Sequence, residues 1–463
     1  MHRSERKRVL DAMRELYGNS PLFAIKPGSG GIVSAFSAYV DGALAEEVKS
    51  GPIIRFTEPL LSPGGQVMAG FEYGCDVQFW RDGETLLERD NLEELLGRLR
   101  VQPPAEVLAD SLVAPTRNRI ADVLPASQRK PATLTVNGRE HPTFEPFTWK
   151  LADDVDFPID VVYTWVDGED PEHATKRARH QPESASAHEQ ASNASRFTSR
   201  DELRYSLRSL EAYTPFVRNV YLVTDGQIPA WLHTEAPGIS VVDHRDILPA
   251  EALPTFNSHA IESRLHHIPG LAEHWLYLND DVFLARPVRA GQFFHANGIA
   301  QVPFSPFQFG TGDPVAGEPA PNSAGKNVRA LLERDFGRAI TNKFKHAPHP
   351  QVLEMEERYR EELERTARSR FRSLSDVAFT ATLHHHYAVL TGRAVPGEYR
   401  MRYVNFGLPD AAERLEALQS AEVDFFCLND VDTPDEAQEA VALMVHGFLE
   451  PRFPFPSRYE KSS

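Results

Sequence analysis

FPIDVVYTWVDG, residues 157–168, is an apolar, β-branched run that ends in an Asp-Gly turn, the pattern of a strand buried on both faces of a parallel sheet. The theme repeats downstream. NVYLVTDG (219–226) is a second such strand, ISVVDH (239–244) a third and HWLYLNDDVFLA (274–285) a fourth. Helical spacing separates them. Leu203, Leu207 and Leu210 line one face of DELRYSLRSLEAY (201–213), which Thr198 or Ser199 can cap, and HAIESRLHHIPGL (259–271) reads as a further helix. A polar loop rich in Ser, Ala and His covers about 170–195. The alternation predicts an α/β sheet with crossover helices, whose ligands gather at the carboxyl ends of the strands. Asp167, Asp225 and Asn279-Asp280-Asp281 fall at that rim.

Outward toward the C-terminus, GTGDPVAGEPAPNSAG (310–325) reads as a turn-rich loop. NVRALLERDFG (327–337), HPQVLEMEERYREELERTARSRF (349–371) and SDVAFTATLHHHYAVLTG (375–392) read as helices, the second with Met355, Tyr359, Leu363, Ala367 and Phe371 at i, i+4 steps. A last helix follows DTPDEAQ, where Thr433, Pro434 and Glu436 make N-cap, N1 and N3 of a capping box. Outward toward the N-terminus, residues 1–18 space Val9, Leu10, Met13 and Leu16 as a short helix. Between about 20 and 150, β-type runs such as GGIVSAFSAYV and ATLTVNG alternate with Gly- and Pro-bearing turns. This predicts a β-rich accessory module over 1–150 and a second domain over 151–463.

Composition bounds the function. The 463 residues carry 49 Lys+Arg against 66 Asp+Glu, a net charge of −17, which excludes a protein that coats nucleic acid. Only Cys75 and Cys427 are present, so there is no disulfide framework. The charged N-terminus has no apolar core of a secretory signal, and nowhere do about 18 apolar residues run together. A cytoplasmic protein without a membrane span is the expectation.

Three clusters carry chemistry. In LYLNDDVFL, Asn279, Asp280 and Asp281 end an apolar strand, and acids there are costly unless solvated or neutralised. A hard divalent cation holding a diphosphate neutralises them; a polar strand end followed by a turn is the plainer alternative. In FKHAPHPQ, His346 and His349 precede the expected long helix, whose first N–H groups disfavour an imidazolium and leave a proton acceptor. Capping or packing histidines are the alternative. In CLNDVDTPDE, Asn429 and Asp430 follow another apolar run, without the glycine an EF-hand needs. His384-His385-His386 sit mid-helix, where successive side chains diverge by about 100°, and read as structural. No strand-to-helix turn carries GxGxxG, and GKN (325–327) is not a phosphate-binding loop.

With these residues in view, the chain resembles the Stealth family of sugar-1-phosphate transferases. Four blocks carry the likeness: IDVVYTWVDGEDP (159–171); RFTSRDELRYSLRSLEAYTPFVRNVYLVTDGQIPAWL (196–232) through LPTFNSHAIESRLHHIPGLAEHWLYLNDDVFLARPV (253–288); FKHAPHP (344–350) to SDVAF (375–379); and LNDVDT through FLEPRFPFPSRYE (428–460). The likeness implies a mostly parallel, nucleotide-sugar-binding sheet with crossover helices over 158–310, a helical insertion over 311–395 and a part completing the metal site over 396–463. It implies a bacterial enzyme that moves a sugar 1-phosphate from a UDP-sugar to a glycan hydroxyl, releasing UMP, in capsular or exopolysaccharide synthesis. The enzyme would work at or near the inner face of the membrane beside a capsule-assembly complex. The rival is a metal-dependent glycosyltransferase that releases UDP. Mg²⁺ or Mn²⁺ is the implied cofactor, held by Asn279, Asp280, Asp281, Asn429 and Asp430. His346 or His349 would take the acceptor proton and Arg372 would meet the phosphoryl oxygens. Tyr163, Thr164, Trp165 and Asp167 would lie by the nucleotide, with Arg204, Arg208, Glu262, His266 and Asp376 around the substrate.

Overall fold

The computed structural model describes residues 139–461 apart from 182–198, 215, 287, 353–355, 431–432, 435–436 and 454–455; before them it describes 24–27, 33–39, 76–88, 92–93, 102–113 and 123–136. The expected helix over 1–18 lies outside the described residues, as do residues 182–195 of the expected loop, whose earlier part is not loop but helix over Pro171–His180. Two units are present, one of residues up to Asp154 with Glu211–Phe216, the other of Val155–Leu210 and Val217–Ser463. In the first, strands at 24–27, 33–39, 76–82, 111–113 and 123–125 form one sheet, and 131–136 pairs with 139–144 in a hairpin.

The second unit is mixed α/β. Strand β1 (Ile159–Thr164) leads to helix α1 (Pro171–His180) and helix α2 (Glu202–Tyr213); strands β2 (Val217–Thr224) and β3 (Ile239–Asp243) follow. A short helix α3 (Ser258–Glu262) and a 3₁₀ turn (Leu265–His267) precede β4 (His274–Asn279). Beyond it come β5 (Val282–Leu284), β6 (Phe304–Gln308), α4 (Ala320–Phe336), β7 (Asn342–Phe344), β8 (His349–Val352), α5 (Arg360–Ala367), α6 (His384–Leu390), β9 (Met401–Asn405), β10 (Phe425–Asn429) and α7 (Gln438–Arg452).

The central sheet has the order β3-β2-β1-β4-β8, parallel except for the β4–β8 pair. From β1 the chain builds outward through β2 and β3, then returns to lay β4 on the other side of β1. The order thus reverses between β1 and β4, which opens a crevice beyond their carboxyl ends. At the opposite end, buried Asp160 accepts from Arg218 Nε (2.8 Å) and from the Ala272 amide (2.7 Å), tying β1, β2 and the entry to β4 together. One face of the sheet packs Val162, Val223, Val242, Trp275 and Tyr277 against Leu265 and Ile268. The helical part has its own core of Phe309, Val328, Leu332, Tyr359, Leu363, Val377 and Leu383.

Four further expectations are corrected. Residues 349–371 are not one helix: His349–Val352 adds an antiparallel edge strand to β4, and the helix is confined to Arg360–Ala367. Pro350, which suits an edge strand, and pairing with the sheet override the helical spacing. His349 therefore stands in a strand, not at a helix start. Residues 320–325 are not loop but the opening of α4, with Pro319 as its N-cap residue. Gly325 is needed there because a Cβ would lie 2.7 Å from the Phe309 ring. The fourth predicted strand is two: after Asn279 the chain turns, and β5 enters a separate sheet beside β10 and β9. Last, α7 starts at Gln438, later than an N-cap at Thr433 requires; Glu436, the expected N3 residue, lies outside the described residues.

Candidate active site at the sheet's switch point

Thr164 and Asn279, the last residues of β1 and β4, pair in register at the crevice. Thr164 Oγ1 lies 3.0 Å from the Tyr277 hydroxyl, which donates to Asn279 Oδ1 at 2.8 Å. Alternation along β1 turns Tyr163 inward, fully buried with its hydroxyl 2.8 Å from Ser206 Oγ. Ser206 in turn donates to the Val282 carbonyl at 2.6 Å, so Tyr163 braces β5 from behind. Beyond Trp165, Asp167 organises a turn. Its Oδ1 accepts the Glu169 amide (3.0 Å) and its carbonyl accepts Gln227 Nε2 (2.8 Å), after which Asp170 caps α1.

Asp280 and Asp281 occupy the turn between the two sheets. Antiparallel pairing of β5 with β10 brings Asn429 to Asp281, and its Nδ2 donates to Asp281 Oδ2 at 2.9 Å. Cys427 Sγ approaches the same oxygen at 3.3 Å. Burial and the adjacent Asp281 push the Asp280 carboxyl well above its ordinary range, and Glu202 at the start of α2 adds to this. Asp281 Oδ1 and Asn429 Oδ1 are both buried without a hydrogen-bond partner among the described residues. Two orphaned oxygen acceptors beside clustered carboxylates are the donor chemistry a hard divalent cation takes, so these residues fit Mg²⁺ or Mn²⁺. Asp430 is engaged otherwise, in an ion pair with buried Arg200, which also bonds Gln438. Between Arg200 and Glu202, Asp201 adopts a left-handed conformation with φ of 64°.

His346 follows β7 and is open to solvent, its ring 4.9 Å from that of Tyr403. Surrounding protein lowers its imidazole pKa and nearby Lys343 adds to this, while Asp281 opposes both. His349 faces the other way. It is buried in β8, stacks on His385 and shares a 2.8 Å hydrogen bond between its Nδ1 and His385 Nε2. Burial holds it at about 3, an uncharged ring at neutral pH. The neutrality expected from a helix start therefore comes from burial.

Arg372 Nη2 donates to Ser258 Oγ at 2.9 Å, yet its guanidinium makes no ion pair among the described residues and its Nε is buried without a partner. Glu262, Asp376 and Tyr277 lie within electrostatic reach. Asp376 is itself fully buried. It accepts from Asn257 Nδ2 and from the Ser373 amide, both at 2.8 Å, and so fixes the turn that follows Arg372. Glu262 accepts from Thr380. Arg204 and Arg208 are gathered at one C-terminal carboxylate: Glu460 takes Arg204 Nε at 2.6 Å and Arg208 Nε and Nη2 at 2.8 Å each. His266 turns to Glu356, at 3.0 Å. Asn257, Glu202, Lys343 and Tyr403 had not been singled out by sequence; only buried polarity at a helix start marks the first two.

Four conserved regions of the Stealth proteins match in order: region 1 over 157–179, region 2 over 196–302, region 3 over 345–389 and region 4 over 416–463. A Streptomyces coelicolor exopolysaccharide phosphotransferase is 40% identical over 99% of this chain and 76% of its own length. The chain belongs to the Stealth family. A second exopolysaccharide phosphotransferase of that organism is also 40% identical over 99% of the chain, which spans 47% of the relative's length. One from Mycobacterium tuberculosis is 36% identical over 88% of the chain and 73% of the relative. This Stealth protein is a phosphotransferase. Region 2 supplies Asp280 and Asp281, region 3 His346 and Arg372, and region 4 Asn429.

Proposed function

We propose that the chain transfers a sugar 1-phosphate from a UDP-sugar to a hydroxyl of a growing exopolysaccharide, forming a phosphodiester and releasing UMP. The observation that carries this is the convergence, at the switch point of the sheet, of the Asp281–Asn429 pair with its two orphaned oxygens. His346, and an Arg372 without an ion pair among the described residues, stand in the adjoining segments.

Asp281, Asn429 and Asp280 would hold Mg²⁺ or Mn²⁺, which would supply the charge neutralisation that the diphosphate needs. The protein's own groups do the rest. His346, uncharged at neutral pH and open to solvent, accepts the proton of the acceptor hydroxyl at a ring nitrogen. The acceptor oxygen bonds to the β-phosphorus as the bond from that phosphorus to the bridging oxygen breaks; UMP carries away the electron pair and the sugar C1–O bond survives. Arg372 supplies guanidinium N–H donors to the phosphoryl oxygens as charge shifts onto them. Thr164 and Trp165 border the crevice on the nucleotide side. Buried His349, engaged with His385, backs the strand that follows His346, which favours His346 as the base.

The test is direct. With Mg²⁺, a panel of UDP-sugars and acceptor glycans, chromatography is expected to find UMP and ³¹P NMR a phosphodiester resonance in the product. UDP with a plain glycosidic bond would overturn the proposal in favour of a glycosyltransferase. Among the described residues no helix is long and apolar enough to cross a membrane.

A further inference from the structure

His266 and His267 stand side by side in the 3₁₀ turn after α3, away from the Asp281 cluster in sequence and in bonding. Their Nε2 atoms lie 3.0 and 2.9 Å from the same oxygen of Glu356, Oε2. Among the described residues these three form the one group of His, Cys, Asp or Glu side chains whose ligand atoms all fall within 4.8 Å of one another. Arg264 Nη1 holds the other carboxylate oxygen at 2.6 Å. His267 makes a hydrogen bond to Oε2. His266 does not: its side chain is only 10% exposed, and both ring nitrogens are buried without a hydrogen-bond partner among the described residues. A buried imidazole whose two nitrogens lack hydrogen-bond partners among the described residues, 3.0 Å from a carboxylate oxygen, is free to serve as a metal ligand.

We propose that His266 Nε2, His267 Nε2 and Glu356 Oε2 form a second cation site, for a borderline-soft divalent ion of the zinc class, with water in the fourth position. Two imidazoles and one carboxylate suit zinc, cobalt or nickel and do not suit magnesium. Ligands about 2.0–2.2 Å from a tetrahedral zinc stand roughly 3.3 Å apart, so a small opening of the present 2.9–3.0 Å contacts admits the ion. Arg264 acts as the outer partner that orients the carboxylate. The His266 ring also lies 5.2 Å from that of Phe379. The ion therefore clamps the turn after α3 to the segment entering α5, two elements that flank the Asn257–Asp376 bolt behind Arg372. Its role is structural.

Tag-free full-length protein, stripped with chelator and titrated with Zn²⁺ against a chromogenic competitor, is expected to bind one equivalent. His267→Ala and Glu356→Gln are each expected to weaken this at least tenfold, about the effect of losing one ligand's support. His267→Cys, which keeps a zinc ligand, is expected to restore it. His267 is half-exposed, so the substitution leaves the fold intact, and circular dichroism checks this. Substituting Co²⁺ is expected to give the visible absorption of a four-coordinate site in the wild type and not in Glu356→Gln. Asp281→Asn is expected to leave the Zn²⁺ equivalent in place, which separates this site from the Mg²⁺ one. Absence of a bound equivalent, or one that His267→Ala and Glu356→Gln leave unchanged, overturns the proposal.

Discussion

Asp280 is held protonated more firmly than an ordinary carboxyl because water is displaced and Asp281 and Glu202 are near. A carboxyl whose pKa is raised on folding lends stability below its unfolded pKa and withdraws it as pH climbs through the folded value. Without cation, the crowded carboxyl cluster therefore works against the fold at neutral pH. In EDTA, Asp280→Asn is expected to raise Tm by about 2–4 °C, the shift that ~1 kcal/mol produces in a unit of this size, while abolishing most turnover. Mg²⁺ is expected to raise the Tm of the wild type and to do little for the variant. Differential scanning calorimetry with and without Mg²⁺ checks both; a variant no more stable than wild type in EDTA sinks the reading. Arg372 is the complementary case, a cation that makes no ion pair among the described residues, though Glu262 and Asp376 lie within electrostatic reach. Arg372→Ala is expected to lower kcat by about a hundred- to a thousandfold, the worth of one donor to developing charge. Arg372→Lys is expected to recover only part, because an ammonium lacks the planar fork. Steady-state kinetics with UMP as readout distinguishes these from a loss confined to KM.

At the scale of elements, the bolt between α3 and the turn after α5 matters most. Asn257 caps α3 through Oδ1, and its Nδ2 reaches the carbonyl of Ser369 (2.9 Å) and the carboxylate of Asp376 (2.8 Å). Asn257→Ala is expected to destabilise the fold by about 1–3 kcal/mol, because it removes the cap of α3 and one of the two hydrogen bonds that buried Asp376 Oδ2 accepts. It is also expected to lower kcat more than it raises KM, since Arg372 loses its seat beside Ser258. Urea unfolding and kinetics on the same preparation test the pair of effects. None of this was legible in the sequence, where nothing set Asn257 apart from other polar residues. The strands β1, β2 and β4 were legible because their apolar runs are largely buried on both faces and end in turn residues, whereas β3, at the edge, is only half-buried. Their carboxyl ends therefore pointed to the rim that carries Asp280 and Asp281. The stretch 349–371 misled for the opposite reason. Its i, i+4 spacing is real, but the hydrogen bonds that β4 offers His349–Val352 are a long-range gain that local periodicity does not contain. The partner of Asp281 was legible only as a polar end to an apolar run, since Asn429 is 148 residues away.

At the scale of the whole second unit, the C-terminal segment closes what the first strands open. The His233 amide donates to the Tyr459 carbonyl at 2.8 Å and the Lys461 amide to the Trp231 carbonyl at 2.9 Å, so the last described residues lie along 231–233. There Glu460 is buried between Arg204 and Arg208 of α2, the helix that opens with Glu202 beside the acidic cluster. Burial alone would raise this carboxyl. Its hydrogen bonds from Arg208 and Arg204 and from the Ser457 amide outweigh burial and hold it below its usual range. For a carboxyl lowered on folding, the stabilisation is present above the unfolded pKa and is lost as pH falls through the folded one. The pair should therefore hold fully at neutral pH and fail as pH drops below the ordinary carboxylate range. Glu460→Gln is expected to cost about 1–3 kcal/mol at pH 7, because buried Arg208 keeps only the Phe453 carbonyl and the more exposed Glu450, while Arg204 is partly open to solvent. It is also expected to flatten the acid side of the stability profile, since the group responsible for that loss is gone. Chemical denaturation from pH 7 to pH 3 measures both. If wild type and Glu460→Gln lose stability in parallel on acidification, Glu460 is not the carboxylate through which acid opens this end of the unit.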